Sequence, residues 1–169
     1  MINKKEIIIF MPTIEGGGVE KNFFLISNYL SKKFDKISVI TLSKNYRKNL
    51  NQKIRFISLN TKFSNFIGRR VKFIISLVLL FKKLLFSKNC TVFCFQGLVY
   101  CTILCKILST KIIIRSNSSP SGWSNNFFKK ILYKKIYGMA DKIIVNSEDF
   151  KKELKSKFEL ESKCIFNPL

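Results

Sequence analysis

The stretch Ala140-Asp141-Lys142-Ile143-Ile144-Val145-Asn146-Ser147-Glu148-Asp149 decides how the chain folds. Lys142–Asn146 reads as a short strand that is apolar on both faces, and Ser147 stands directly after it as the N-cap of a helix running to Phe158. Glu148 and Asp149 fall in the first turn of that helix and Lys155 and Lys157 near its end, which matches the helix dipole. A strand that is apolar on both sides and feeds straight into a helix is the repeating unit of a parallel sheet covered on both faces.

The same unit recurs outward along the chain. Strands are predicted at Glu6–Met11, Ile37–Leu42, Ile54–Leu59, Thr91–Phe95, Lys111–Arg115 and Lys163–Phe166, about seven with the one just read. Between them, Val19–Lys33 repeats Val19, Phe23, Ile26 and Leu30 at helical spacing, and Ile67–Phe86 and Leu98–Leu108 are apolar nearly all round. Asn125–Tyr137 carries Phe127, Phe128, Ile131, Leu132 and Ile136 at the same period. Only Ser43–Lys53 breaks the rhythm, being polar and short for a crossover helix. The predicted fold is α/β: a doubly wound, mainly parallel Rossmann-like sheet of about seven strands, with helices on both faces, over residues 1–166.

At 169 residues and 47% apolar content the chain is large enough for one domain with a real core. It has no His, which removes every mechanism that needs an imidazole base and every zinc site that needs an imidazole ligand. Cys90, Cys94, Cys101, Cys105 and Cys164 are odd in number and form no C-x-x-C pair, so they read as buried reduced thiols of a cytosolic protein. The longest apolar stretch, Phe73–Phe81, has nine residues, against the roughly 20 that a spanning helix needs. Ile7–Met11 is too short for the core of a signal peptide.

Lys and Arg number 31 against 10 Asp and Glu, a formal charge of +21. No acidic residue lies between Asp35 and Asp141, where 20 Lys and Arg occur, so the middle of the chain holds nearly all the excess. That asymmetry points to an anionic partner: acidic lipid, nucleic acid or a phosphorylated substrate. The bland alternative is a solvated basic face, favoured by the Lys-rich, Ala-poor composition of an A/T-rich genome. Arg69, Arg70, Lys72, Lys82 and Lys83 bracket the apolar centre of the second long helix, and Lys129 and Lys130 open a second basic face. Both suit an anionic lipid surface, although burial of that apolar centre against the sheet is expected to account for most of its side. Nucleic acid is the rival partner, weakened because the aromatic residues sit at core-like positions.

Ligands of such sheets bind at the carboxyl ends of the strands. After the first strand, Gly16-Gly17-Gly18 opens a helix, where free N–H groups can meet a phosphate or where the chain simply turns tightly. A G-x-G-x-x-G pattern would need Gly where Lys21 stands, and the G-x-x-x-x-G-K-[ST] loop is absent, which argues against NAD and ATP. After the fifth strand, Arg115 is expected to emerge at the sheet edge to grip a phosphate or carboxylate, with Ser116 and Asn117 beside it. Trp123 stacks on a sugar ring or caps the following helix. No cluster has metal-ligand spacing, and no metal or cofactor is expected.

Taken in order, these pieces resemble the N-terminal domain of the GT-B glycosyltransferases of the large retaining family numbered four. The resemblance rests on Ile7-Ile8-Ile9-Phe10 followed by Gly16-Gly17-Gly18-Val19-Glu20, on Ile112–Asn117, on Ala140–Ser147, and on the closing Ile165-Phe166-Asn167-Pro168-Leu169. It implies a two-domain enzyme in which this half holds the acceptor and a second half holds the nucleotide-sugar donor. By position it implies that Gly17 and Gly18 approach the donor phosphates. It further implies that Arg115, Asn117, Ser147 and Glu148 line the acceptor cleft, with residues 167–169 opening the linker to an absent donor-binding domain. Relatives often place a His where this sequence has Gln96-Gly97 or Arg115-Ser116-Asn117, a departure from the pattern. The expectation is an acceptor-binding half, inactive alone, on the inner face of the cell membrane, with a glycan or lipid-linked acceptor and possibly a separate donor-binding chain. A nucleic-acid module or a remnant of an interrupted gene are the alternatives.

Overall fold

The computed structural model describes residues 5–59, 68–117 and 127–167. Seven strands form one sheet: β1 (Glu6–Phe10), β2 (Ile37–Ile40), β3 (Arg55–Ile57), β4 (Cys90–Cys94), β5 (Lys111–Ser116), β6 (Lys142–Val145) and β7 (Lys163–Cys164). Their order is β3-β2-β1-β4-β5-β6-β7, and every neighbouring pair is parallel. The helices are α1 (Gly18–Lys33), α2 (Arg69–Leu85), α3 (Leu98–Ile107), α4 (Phe127–Gly138) and α5 (Glu148–Phe158). This is the doubly wound Rossmann-like sheet expected from the two-sided apolar strands.

The polar Ser43–Lys53 link is the one place where the βα rhythm changes form. It folds as a 3-10 helix over Lys44–Asn49, held by side chains in place of an apolar stripe. Arg47 donates to the carbonyls of Leu50, Asn51 and Gln52, while Asn28 of α1 donates to Asn49 O and accepts from Asn51 N–H.

The two faces of the sheet are unequally covered. Phe23 of α1 packs with Ile9, Val39 and Phe93 on one face. On the other, Leu80 and Leu84 of α2, Cys101 and Cys105 of α3, Tyr137 of α4, and Leu154 and Phe158 of α5 pack on Ile8, Phe10, Val92, Ile112 and Val145. The division follows from handedness: crossovers that run one way along the sheet fall on one face and those that run back fall on the other. It also fixes the edges, because each helix following a strand begins at that strand's carboxyl edge. Arg69, Arg70, Lys129 and Lys130 therefore lie at the carboxyl edge, and Lys82 and Lys83 about 20 Å away toward the amino edge, at 1.5 Å per helical residue.

The cap that decided the sequence reading is present: Ser147 Oγ accepts from Phe150 N–H at 3.2 Å. Asp141, just before β6, accepts from Ile112 N–H and from Lys106 Nζ, both at 2.8 Å. Partial burial opposes its charge, but those two donors outweigh it and hold the carboxyl below its ordinary range. The thiols of Cys90, Cys94, Cys101 and Cys105 are buried and unbridged. Burial raises the pKa of Cys101, and the hydrogen bond with Cys101 does the same to Cys105. Neither is an available nucleophile.

Candidate functional site

The winding direction reverses between β1 and β4, so α1 leaves toward one face and α3 toward the other. A gap between their loops is the result. It is a cavity of about 680 Å³. The β1 loop supplies Pro12 and Thr13, the β4 loop supplies Gln96 and Gly97, and the first turns of α2 close the third side.

Hydrogen bonds tie the two loops across the gap. Gln96 Oε1 accepts from the N–H of Thr13 at 3.4 Å and from its hydroxyl at 3.3 Å. Gly97 is in the left-handed region, with φ of +69°, and a Cβ there would lie 2.2 Å from Phe73 of α2. The absence of a side chain at Gly97 lets the Phe73 ring pack down beside Tyr100, edge to face at 5.4 Å. At the mouth, Arg69 of α2 faces Glu15 of the Gly loop at 3.5 Å. Arg70 lines the same cavity and has no ion-pair partner among the described residues.

The Gly loop itself is more occupied than its composition suggests. Gly16 has φ of +92° and makes the turn. The carboxylate of Glu20, 9% exposed, reaches back to accept from Gly17 N–H at 2.9 Å and from Glu15 N–H at 3.4 Å. It sits where the helix N-terminus would otherwise receive an external anion. A Cβ at Gly18 would meet nothing within 4 Å, so that position is open on its outer side.

The residues at the ends of β5 and β6 are placed differently. Arg115 does not emerge at the edge: it is 1% exposed, and its guanidinium donates to Asn167 Oδ1 at 2.9 Å and Ile165 O at 3.3 Å. Burial lowers its pKa. Ser116 is buried and hydrogen-bonded with Tyr137, Asn117 donates to Arg115 O at 3.4 Å, and Glu148 pairs with Lys151 at 3.2 Å. None of Arg115, Ser116, Asn117, Ser147 and Glu148 lines the cavity. Trp123 lies outside the described residues.

The basic residues of α2 divide between the two ends of the helix. Arg69 and Arg70 belong to the cavity. Lys83 is drawn onto Glu6 at 2.8 Å, with both side chains largely buried, and Ser38 and Ser87 also donate to that carboxylate. Lys82, Lys129 and Lys130 are exposed. Among the described residues no three His, Cys, Asp or Glu side chains are grouped to hold a metal ion. No described helix is long and apolar enough to cross a membrane.

Of the cavity residues, Thr13, Phe73 and Tyr100 are not among the site residues read from the sequence, and Gln96 is read there only as a place where relatives often carry a His. A local signal for this edge of the cavity is the Phe95-Gln96-Gly97 step from an apolar strand into a helix.

No family model and no curated protein matches the chain in sequence. Solved structures do match in fold. Anabaena Alr3699/HepE in complex with UDP superposes with a TM-score of 0.64 at 14% identity, over 97% of this chain and 44% of that one. A UGT transferase from Siraitia grosvenorii in complex with UDP gives 0.55 at 13% identity, over 94% and 50%. Phytolacca americana UGT2, complexed with UDP-2fluoro-glucose and pterostilbene, gives 0.56 at 11%, over 93% and 52%. The chain therefore shares an α/β Rossmann-like fold with about half of each of these chains. It spans about half the length of the solved chains it resembles.

Proposed function

We propose that this chain is the acceptor-side half of a retaining glycosyltransferase similar to the family numbered four. It would move a sugar from a nucleotide-sugar donor to a cell-surface glycan or lipid-linked acceptor on the cytoplasmic side of the membrane. The observation that carries this is the cavity at the switch point between β1 and β4, in a fold shared with chains solved with UDP and twice as long. The donor site belongs to a second half, on the same or a separate chain. The acceptor lies between Thr13, Gln96 and the α2 arginines, nearer to them than to Arg115, Ser116, Asn117, Ser147 and Glu148. Of Gly16–Gly18, on the loop that leads out of this cleft, Gly18 is open on its outer side and is the position that approaches the donor phosphates, since Glu20 already takes the Gly17 N–H.

In the complete enzyme the acceptor hydroxyl forms a bond to the anomeric carbon on the face from which the nucleoside diphosphate leaves. The C–O bond from the anomeric carbon to the diphosphate breaks with its electron pair going to the diphosphate oxygen, and that leaving diphosphate takes up the hydroxyl proton. Arg70 offers a fixed cation for an anionic acceptor.

The test is calorimetric titration of the purified chain with UDP-glucose and, separately, with a short-chain prenyl diphosphate sugar. The acceptor analogue should bind, and Arg70→Ala should weaken it about tenfold. Sugar turnover by the 169-residue chain alone, or failure of the analogue to bind, would refute the assignment.

A further inference from the structure

α2 buries one stripe against the sheet, Ser76, Leu80 and Leu84, and turns a second apolar stripe outward. Ile74 is 59% exposed, Val78 48%, Phe81 40% and Leu85 52%. The burial expected for the apolar centre of this helix thus takes only half of it. α3 does the same: Cys101 and Cys105 face inward, while Tyr100, Ile103 and Ile107 are exposed, the last at 73%. Between the two outward stripes runs a groove of about 340 Å³ whose lining is entirely Ile, Leu, Val, Phe and Tyr. Ile74, Leu77 and Tyr100 line both this groove and the cavity at the switch point, so the two are continuous.

The charges that α2 itself places beside it are basic, with Glu15 of the neighbouring loop paired to Arg69 at the cavity mouth. Arg69, Arg70 and Lys72 stand at one end of α2 and Lys82 at the other, and no acidic residue occurs between Asp35 and Asp141. Soluble proteins rarely expose a contiguous apolar patch of this kind without a partner for it. The groove offers almost no hydrogen-bonding group, whereas a protein partner would bring polar groups to be satisfied at its rim. Apolar side chains ringed by cations match the acyl and headgroup layers of an anionic leaflet.

We infer that the outer face of α2 and α3 is the surface by which the chain docks on an anionic lipid leaflet, with the switch-point cavity opening at headgroup level. The inference rests on the membrane-side acceptor proposed above and names the face and the side chains that enter the lipid. Ile74, Val78, Phe81, Ile103 and Ile107 insert, and the flanking arginines and lysines meet lipid phosphates. The notch shared by groove and cavity then gives a lipid-borne acceptor a path to the cleft that never leaves an apolar surface.

The test is co-sedimentation of the full chain with vesicles of phosphatidylcholine, with and without phosphatidylglycerol. Neither donor nor sugar acceptor is needed, so it stands or falls apart from sugar transfer. The wild type should pellet with the anionic vesicles only. Val78→Ser with Ile107→Ser leaves net charge unchanged and should weaken binding about tenfold or more. Leu25→Ser, at a comparably exposed site on α1 (43%), should leave it unchanged. Circular dichroism and thermal melting of both variants check that the fold is intact. Equal pelleting by the double variant would overturn the inference, since charge alone would then hold the protein. So would a wild-type dimer in gel filtration that the double variant abolishes, because a second copy would then cover the face. Displacement from vesicles by RNA at matched ionic strength, with the Ser pair lowering RNA affinity equally, would overturn it in favour of a nucleic-acid surface.

Discussion

At the carboxyl edge of the sheet, the loop after β1 and the end of β5 look alike as sites in the sequence and are unlike in the structure. The β1 loop, with the β4 loop opposite it, borders an open cavity that α2 flanks with Arg69 and Arg70. The end of β5 is closed: Arg115 is buried and bonded to Ile165 and Asn167. Both stand at strand ends, so edge position alone does not make a site. What differs is the direction of winding. β1 and β4 send their helices to opposite faces and leave a gap, whereas β4, β5 and β6 send theirs to the same face, where α3 and α4 pack together.

The strongest way to break this contrast is to fill the open loop from within. Gly97→Ala forces a left-handed alanine and a Cβ overlapping Phe73 at 2.2 Å. Backbone strain and overpacking together should cost about 3 kcal/mol. Urea unfolding should show the loss, and the acceptor analogue should no longer bind because Phe73 is pushed into the cavity. Unchanged stability would mean that Phe73 swings clear without cost and that the cleft is not built on Gly97.

The closed end of β5 gives the next largest effect. Arg115→Ala removes both hydrogen bonds and a buried side chain, leaving Ile165 O and Asn167 Oδ1 without their donor. About 2 kcal/mol of stability should go, with acceptor binding by the folded fraction unchanged. A variant that keeps its stability but loses the acceptor would return Arg115 to the site and erase the distinction between the β1 loop and the end of β5.

The sheet, its seven strands and its five helices are legible in the sequence because two-sided apolar runs and helical periods are local signals. Strand limits are less so. Leu59 and Phe166 extend the predicted third and seventh strands, yet β3 and β7 have three and two residues, since pairing on an edge needs a partner strand and not merely apolar character. The site is harder to read for the same reason. Gln96 reaches Thr13 across 83 positions, and nothing in either neighbourhood announces the other. Arg115 misleads because strand position gives its height along the sheet and not its burial, which depends on Asn167 at the far end of the chain. Gly17 shows a local signal passed over, since Glu20 three residues on is the capping-box partner that takes its N–H.

The two ends of α2 extend the comparison to a smaller effect. At the amino edge Glu6 is partly desolvated, which alone would raise its pKa, but hydrogen bonds from Lys83, Ser38 and Ser87 outweigh burial and lower it. A carboxyl lowered on folding stabilises the protein above its ordinary value of 4.5 and withdraws that support as pH falls through the lower folded value. Glu6→Gln should therefore destabilise by about 1 kcal/mol at neutral pH and lose less on acidification than the wild type. Melting curves from neutral to strongly acid conditions show it, and parallel losses in the two proteins would deny Glu6 the role. The cleft, at the opposite edge, should bind acceptor unchanged.

Gly18→Ala should be the mildest change to the fold and the most informative about the open loop. Its Cβ would meet nothing within 4 Å and its φ is not positive. Alanine in the first turn of α1 should then be neutral or stabilising by up to about 1 kcal/mol, through the lower backbone entropy of the unfolded chain. Fold stability and donor approach are thereby separated at one position. If the loop faces a donor diphosphate in the complete enzyme, the added methyl group stands where the phosphate must come close, and transfer should fall at least about tenfold while the melting temperature holds or rises. If the glycines only make a turn, transfer is untouched. In that case the cavity between β1 and β4 keeps the acceptor, but the donor phosphates must be met by the other half alone.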